Sequence, residues 1–316
     1  MSTPSSPSTH WSRLAERGSQ WGLDFVALSL RLAGPRFTRW FLYPITAYFY
    51  IANRTARQAS KAYLTKVYAA LNRSAPTRMD SFLHMLAFAQ SGVDRLQAWR
   101  GQYPASKVHF PDLAQFERIR ASGKGALLIG SHLGNLDMTR AVADPRHTNV
   151  HAIVYSEHAV RFNELLSNNN PKFKARMIQV SSLGADAAIS LQEKIDQGDV
   201  LVIVGDRTPA NLESQRVCSA HFLGEPAPFA QGPFILAALL GCPVYTFFCV
   251  KRGKGYEVVL TKFDDRITLP RGARDVALQG YIARYAKVLE AQCQRDPLQW
   301  FNFFDFWNSR GASPHV

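Results

Sequence analysis

Residues 125–137, Gly-Ala-Leu-Leu-Ile-Gly-Ser-His-Leu-Gly-Asn-Leu-Asp, decide the fold. The first half is an apolar run bounded by glycines, which predicts a strand buried on both faces. The second half places His132 directly after that strand, where open α/β sheets hold their ligands. We therefore expect an α/β fold with a functional site at the carboxyl edge of the sheet.

His132 and Asp137 form the strongest chemical signal in the chain. A helix would set two residues at this spacing about 140° apart, so they can pair only if the chain turns between them. Gly134 and Asn135 supply that turn. A carboxylate on one imidazole nitrogen fixes the tautomer and leaves the other nitrogen as a general base. We predict that His132 and Asp137 are catalytic; the alternative is a structural histidine.

A second candidate group follows the apolar run 200–204, also a predicted strand. Arg207 at the carboxyl end of this strand could clamp a phosphate, because a guanidinium offers two parallel donors. Its neighbour Asp206 is grouped with it as a substrate-binding candidate. The alternative is a structural ion pair between Asp206 and Arg207.

Strand and helix patterns alternate over the rest of the chain. The other strands are predicted at 149–155, 177–181, 244–251 and 257–263, and helices at 157–167, 185–197, 229–240 and 274–294. Upstream, helical spacing covers 11–33, 36–56, 57–72 and 78–92. This order predicts a mixed, mostly parallel sheet flanked by helices, preceded by a basic helical region.

The net charge of +13 lies mostly in the first part of the chain, since residues 1–124 have 17 Lys/Arg against 6 Asp/Glu. No acidic residue occurs between Asp24 and Asp80, where basic residues alternate with aromatic ones such as Trp40 and Tyr48. Amphipathic rings and long cations suit the headgroup level of an anionic bilayer. A solvated basic helical layer is the alternative. A nucleic-acid surface is disfavoured because no recognition motif is present.

No membrane-spanning helix is expected from the longest apolar stretch, 40–53, because 14 helical residues extend about 21 Å and the hydrocarbon core is about 30 Å thick. The four cysteines and nine histidines lack metal-ligand spacing, so we expect a reducing compartment, no metal and no cofactor. We divide the chain into a disordered polar tail at 1–10, a helical membrane-associating region at 11–123, and a catalytic core at 124–316.

In order and spacing, these elements resemble the bacterial lipid A biosynthesis acyltransferases, the lauroyl and myristoyl transferases of the lysophospholipid acyltransferase superfamily. The resemblance rests on His132-x4-Asp137 after a strand, on Gly205-Asp206-Arg207, on Phe222-Leu223-Gly224-Glu225-Pro226 and on the Ala/Leu helix after it. A looser match at 157–163 adds Arg161 and Asn163. The C-terminal run 299–307, rich in aromatic residues, is closer to acyltransferases of aryl polyene or xanthomonadin pathways, or to those fused to glycosyltransferases.

The resemblance implies transfer of an acyl group from a thioester of acyl carrier protein or coenzyme A to a lipid or glycolipid hydroxyl, at the cytoplasmic face of a bacterial inner membrane. His132 is then the general base and Asp137 orients it, while Asp206, Arg207, Arg161, Asn163 and Gly224 bind substrate. Acyl carrier protein and anionic lipids are the implied partners. Two alternatives stay open: a thioesterase using the same His/Asp pair, and a basic lipid-surface protein without enzymatic activity.

Overall fold

The computed structural model describes residues 20–141, 149–154, 176–179, 185–207 and 217–308. Within them, a seven-stranded sheet runs in the order β1-β9-β8-β2-β5-β3-β4, and β6 and β7 form a separate ribbon. The strands are β1 (Val108–His109), β2 (Ala126–Gly130), β3 (Val150–Val154), β4 (Arg176–Gln179), β5 (Val200–Val204), β6 (Val217–Phe222), β7 (Glu225–Ala230), β8 (Val244–Arg252) and β9 (Gly255–Asp264). Only β8 and β9 pair antiparallel in the large sheet of the described residues. The predicted mixed, mostly parallel α/β sheet is confirmed.

Strand β2 lies at the centre of the sheet and separates two apolar clusters. Leu127 and Ile129 belong to the cluster that includes the long C-terminal helix, whereas Ala126 and Leu128 belong to the cluster on the other face. Alternate residues of a strand point to opposite faces, so the continuous apolar run is the expected sequence of a strand covered on both sides.

Helices surround this sheet. They are α1 (Gln20–Ala52), α2 (Arg54–Ala70), α3 (Arg78–Trp99), α4 (Leu113–Ala121), α5 (Ala185–Asp196), α6 (Gly232–Leu240) and α7 (Arg274–Arg295). The helix predicted at 157–167 lies outside the described residues. The sequence missed β1, α4 and the β6–β7 ribbon.

The predicted helix at 229–240 is partly wrong, because Phe229 and Ala230 end strand β7 and α6 begins only at Gly232. Pro226 and Pro228 hid this strand, since proline is rare in sheet interiors but is tolerated in a two-stranded ribbon. Leu223 and Gly224 connect the ribbon strands and both have positive φ, 52° and 85°, as a tight hairpin turn requires.

The three N-terminal helices have local sequence signals at a break in α1 and at the starts of α2 and α3. Gly34, with φ 77° and ψ 172°, interrupts the helical geometry of α1 just before Pro35. Asn53 caps α2 by accepting a hydrogen bond from the Ala56 N–H. Helix α3 begins with a capping box of Thr77 and Asp80, and it extends to Trp99, beyond the predicted end at residue 92. No helix in the described part of the chain is long and apolar enough to cross a membrane.

A buried carboxylate fastens α1 and α3 to the sheet. Asp94 of α3 is fully buried and contacts the guanidinium of Arg39 on α1. It also accepts hydrogen bonds from Lys251 Nζ on β8, at 3.0 Å, and from the Tyr256 hydroxyl on β9, at 2.9 Å. Breaking a buried ion pair leaves an unpaired charge, which costs about 3–5 kcal/mol, so this cluster fixes the position of α3 firmly.

Candidate active site

The candidate active site lies at the carboxyl edge of two adjacent parallel strands. The register of β2 and β5 pairs Gly130 with Val204, and the Gly205 N–H donates to the Gly130 carbonyl at 3.0 Å. The residues that follow the two strands therefore start from neighbouring positions. This brings His132 and Asp206 together across 74 residues of sequence, at the edge predicted for the site.

The imidazole of His132 is held by Asp206. Its Nδ1 lies 2.8 Å from Asp206 Oδ1, and the backbone N–H of His132 donates to Oδ2 of the same carboxylate at 2.9 Å. Because the carboxylate accepts, the proton of the neutral imidazole lies on Nδ1 and Nε2 keeps its lone pair. Nε2 has no hydrogen-bond partner among the described residues, so the tautomer is the one a general base needs.

The structure corrects the predicted pairing of His132 with Asp137. The Asp137 carboxylate forms an ion pair with Arg95 of α3, with Oδ2 3.0 Å from Nε. Asp137 lies in the 3₁₀ helix Leu136–Ala141, beyond the Gly134 turn. The turn was predicted correctly, but it directs this carboxylate toward α3 while β5 supplies the partner of His132. A catalytic role for Asp137 stays a prediction.

Position 134 requires glycine for two reasons, its backbone conformation and its close contact with β8. Its φ of +73° is strained for residues with a side chain, and a Cβ built on it would lie 2.1 Å from the carbonyl oxygen of Cys249. The adjacent Asn135 N–H donates to that same carbonyl at 2.7 Å. The loop after His132 is therefore pressed against the backbone of β8, which fixes the direction of its side chains.

The buried side of Asp206 is closed by the C-terminal segment 299–302. Trp300 Nε1 donates to Asp206 Oδ2 at 2.9 Å, and Asn302 Nδ2 contacts the same oxygen at 3.4 Å. The segment also pairs with the 132–137 loop, since the Phe301 N–H donates to the His132 carbonyl at 3.0 Å and the Gly134 N–H donates to the Gln299 carbonyl at 2.8 Å. Asp206 is thus fully enclosed and hydrogen-bonded.

A chain of buried polar groups fixes Trp300 in turn. His84 Nε2 lies 2.9 Å from the Trp300 carbonyl, and its Nδ1 lies 3.0 Å from the Ser60 hydroxyl. The carbonyl can only accept, so Nε2 carries the proton and Ser60 donates to Nδ1. Burial lowers the pKa of His84 to about 4, so this histidine is neutral and acts as a structural link.

The charges around His132 favour a neutral base beside an ionised carboxylate. The pKa of His132 lies below its ordinary value because burial disfavours the imidazolium and Arg207 repels it. Burial raises the pKa of Asp206, but the charge and hydrogen bonds of His132 outweigh burial and hold it below the ordinary value. Burial lowers the pKa of Arg207 to about 10, which leaves this guanidinium charged at neutral pH.

Arg207 is held in place by the same C-terminal segment. Its Nε donates to Asn302 Oδ1 at 2.7 Å and one terminal nitrogen donates to the Phe301 carbonyl at 2.8 Å, with the Phe304 ring 5.7 Å away. The predicted alternative of a simple Asp206–Arg207 ion pair is therefore incomplete. Asp206 supports His132, and the guanidinium is positioned by residues almost 100 positions further along the chain.

The remaining predicted site residues do not join this cluster within the described residues. Arg161 and Asn163 lie outside the described part of the chain. Gly224 lies at the tip of the β6–β7 turn and lines an open groove of about 600 Å³ together with α2 residues that include Lys61 and Lys66. The structure adds Arg95 and Trp300 to this cluster. The sequence did not connect either residue with His132, because neither lies near it in the chain.

The carboxyl edge of the α/β sheet thus holds an enclosed carboxylate, an oriented neutral imidazole and flanking arginines, an arrangement that can carry out general acid–base catalysis. The family model for bacterial lipid A biosynthesis acyltransferases matches residues 9–309. The chain belongs to this family, and it is an acyltransferase enzyme that acts on lipids. Comparison with curated proteins finds no match. The predicted family and enzyme class are confirmed. The alternative of a basic lipid-surface protein without enzymatic activity is wrong.

Proposed function

We propose that this enzyme transfers an acyl group from a thioester of acyl carrier protein or coenzyme A to a hydroxyl group of a membrane lipid or glycolipid, with His132 as the general base. One observation supports the proposal above all others: Asp206 holds Nδ1–H of His132, and Nε2 faces away from that carboxylate. The His132 side chain is 30% exposed whereas that of Asp206 is sealed, so a substrate reaches the imidazole and not the carboxylate.

In the proposed reaction, Nε2 of His132 takes the proton of the acceptor hydroxyl as its oxygen attacks the thioester carbonyl. The tetrahedral intermediate collapses, the C–S bond breaks, and the imidazolium returns the proton to the departing thiolate. Asp206 stabilises the imidazolium between these two transfers. The thioester is already activated, so the reaction needs no covalent acyl-enzyme and no cofactor.

A hydrolase with Ser131 as nucleophile is the weaker candidate. Ser131 is buried, and its hydroxyl oxygen accepts a hydrogen bond from the Leu133 N–H at 3.1 Å. This contact turns the hydroxyl toward its own loop. His132 Nδ1 is occupied by Asp206, and activation of Ser131 would need the hydroxyl at Nε2.

Docking on an anionic membrane surface supports a lipid acceptor. On α1, the side chains of Phe37, Trp40, Tyr48 and Ile51 are exposed and recur at helical spacing, so they share one face. The buried Leu42 and Thr46 lie on the opposite face, against the protein. An aromatic face directed away from the protein, on a segment without acidic residues, suits the headgroup level of a bilayer. We propose peripheral or monotopic binding at the cytoplasmic face of the inner membrane.

Phosphate recognition completes the proposal. Arg207 is charged, lies close to His132 and is oriented by Asn302, and it is proposed to bind a phosphate of the acceptor or of a phosphopantetheine arm. Arg161, Asn163 and Gly224 are proposed to bind substrate on the resemblance alone. Acyl carrier protein is the proposed donor, and assignment to an aryl polyene pathway belongs to this proposal as well.

The test of the proposed base is His132→Ala, assayed with acyl carrier protein thioesters of C12 to C16 acyl chains and a total lipid extract as acceptor. Transfer falls by at least the factor of about 10²–10⁴ that general-base catalysis supplies, while the thermal unfolding midpoint and vesicle binding are retained. Turnover near the wild-type rate contradicts the assignment. Free fatty acid in place of acylated lipid identifies a thioesterase.

A further inference from the structure

Asp206 holds the His132 imidazole, whereas Asp137, five residues after His132, forms an ion pair with Arg95. The side chains of Arg95 and Asp137 are partly exposed, 39% and 24%, and pairs of this kind add little to folding stability. Arg95 Nε makes no directed hydrogen bond, so Asp137 holds the guanidinium by charge and not by a hydrogen bond at this nitrogen. An ion pair of low stabilising value at the mouth of an active site calls for another explanation.

Helix α3 presents Arg95 to the catalytic loop in a fixed position. Ser91 lies one turn before Arg95 on the same helix face, and its carbonyl accepts a hydrogen bond from Asn135 Nδ2 at 2.9 Å. Both residues therefore face the 132–137 loop. The buried Asp94 cluster holds the intervening turn of α3 against β8 and β9. The backbone under Arg95 is thus rigid, and Asp137 limits where its side chain can point.

The exposed side of the site determines which groups a substrate meets. Asp206 is sealed behind His132, while His132, Asp137 and Arg95 all reach solvent. Besides burial, Arg207 and Arg95 both lower the pKa of His132 by charge repulsion. Arg207 is committed to Asn302 and the Phe301 carbonyl. Arg95 is the cation of the two that this C-terminal segment does not hold.

We propose that Arg95 stabilises the oxyanion formed during acyl transfer and that Asp137 is its positioning residue. This inference rests on the proposed acyltransferase reaction. When the acceptor oxygen attacks the thioester carbonyl, the carbonyl π electrons move to its oxygen, and the negative charge lies beside Arg95. When the C–S bond breaks, the charge leaves that oxygen, and the thiolate takes the proton from His132 Nε2. The loop that begins with His132 thus carries both the proposed base and Asp137, which positions the proposed oxyanion donor Arg95.

Arg95→Ala tests the oxyanion role through kcat and KM measured separately with acyl carrier protein thioesters and a total lipid extract. Loss of one oxyanion donor lowers kcat by about 10²–10³-fold, with KM changed less than threefold. Arg95→Lys restores part of kcat, and guanidinium ions added to Arg95→Ala restore more than equal concentrations of sodium ions. A rise in KM at unchanged kcat overturns the proposal in favour of ground-state substrate binding.

The matched control is Arg120→Ala. Arg120 is 40% exposed and paired with Glu117 on α4, which precedes β2 and so lies at the opposite edge of the sheet. The Arg120→Ala substitution should leave kcat unchanged. His132→Ala in the same assay separates the two proposals: if His132→Ala retains transfer, the proposed reaction itself fails, whereas normal kcat in Arg95→Ala with an inactive His132→Ala removes only the oxyanion role.

Asp137→Asn distinguishes a residue that positions Arg95 from one that orients His132. If Asp137 acts through Arg95, the double variant Arg95→Ala/Asp137→Asn is no slower than Arg95→Ala alone. The His132 pKa, followed by NMR of labelled imidazole, rises in Arg95→Ala because a repelling charge is lost. The proposal is wrong if the losses of kcat in Arg95→Ala and Asp137→Asn add in the double variant and the His132 pKa falls in Asp137→Asn. That result would support a direct pair of Asp137 and His132.

Discussion

At the scale of the residue, the identity of the carboxylate behind His132 decides how the site works. The Asp206 carboxylate accepts from Nδ1, from the His132 backbone and from Trp300, and it is completely buried. Such a carboxylate stays ionised and keeps the imidazole in one tautomer. Asp137, the acid predicted from spacing, faces Arg95 and is open to solvent.

Asp206→Asn tests this directly. The amide NH₂ facing Nδ1 donates to it, so the imidazole proton moves to Nε2 and the base is lost; we expect kcat to fall by about 10⁴-fold. The wild-type acid limb of kcat/KM has its midpoint below the ordinary histidine value of 6.5, because the pKa of His132 is lowered and only the neutral form is active. In Asp206→Asn, loss of the carboxylate charge lowers the pKa of His132 further, so the acid limb of any remaining activity moves to lower pH.

A matched control for this substitution exists at the other end of the sheet. Asp199 and His151 form a second buried pair, with Oδ2 2.6 Å from Nε2, directly before β5 and within β3. Asp199→Asn should lower the unfolding midpoint without moving the pH–rate profile. An unchanged profile in Asp206→Asn would mean that Asp206 has only a structural role.

At the scale of the element, the sequence predicted strands better than it predicted contacts. The strand 200–204 was predicted at its observed bounds. A run of five branched apolar residues between Asp and Gly is too short for a typical helix and favours a buried strand. The ribbon strand β7 was missed, because Pro226 and Pro228 normally argue against a strand. The partner of His132 was also missed, since Asp206 is distant in sequence and only strand order brings the two together.

The aromatic segment near the C-terminus illustrates the same limit. A run of aromatic residues such as 300–307 can line an acyl pocket, lie at the membrane interface or pack in the core, and its composition does not distinguish these places. In the structure, Trp300 and Phe306 are buried, and their ring centroids lie 4.9 Å apart in an edge-to-face arrangement. Phe306 therefore belongs to the core, while the polar atoms of Trp300 and Asn302 serve the active site.

Phe306→Ala should therefore reduce stability without changing acyl-chain preference. Removing a buried phenylalanine ring lowers the free energy of unfolding by about 3–5 kcal/mol. Phe303, which is only partly buried and packs against His84 and Phe88, provides the comparison, and Phe303→Ala should cost less. The measurements are urea denaturation and the product ratio from mixed C12 to C16 thioesters. A shifted product ratio at unchanged stability would place Phe306 in an acyl pocket.

At the scale of the whole molecule, the 132–137 loop is held between the sheet and helix α3. The loop rests on the buried sheet through Cys249, and it rests on α3 through Ser91 and Arg95. Helix α3 is in turn tied to α1 by the contact of Asp94 with Arg39. Helix α1, which carries the exposed aromatic face, is thus connected to the candidate active site through α3.

Membrane binding can be tested by replacing two residues of that face. Trp40 and Ile51 are each 75% exposed, and burying such side chains in a bilayer contributes about 1.5–3 kcal/mol each. Trp40→Ser/Ile51→Ser should weaken binding to vesicles of mixed anionic and neutral phospholipid about tenfold or more, measured by co-sedimentation. Val276→Ser is the control, since Val276 is 77% exposed on α7. Equal effects of both variants would exclude α1 as the specific contact.

The late position of residues 299–302 in the chain has a consequence for biosynthesis. Translation delivers β2, β5 and both arginines of the site before it delivers Trp300, whose indole N–H is a donor to Asp206. A polypeptide stopped before Trp300 contains every strand of the described sheet but leaves the carboxylate behind His132 without its indole cover. On the proposed mechanism, we therefore expect a product that ends before Trp300 to contain the charged residues of the site but to lack activity.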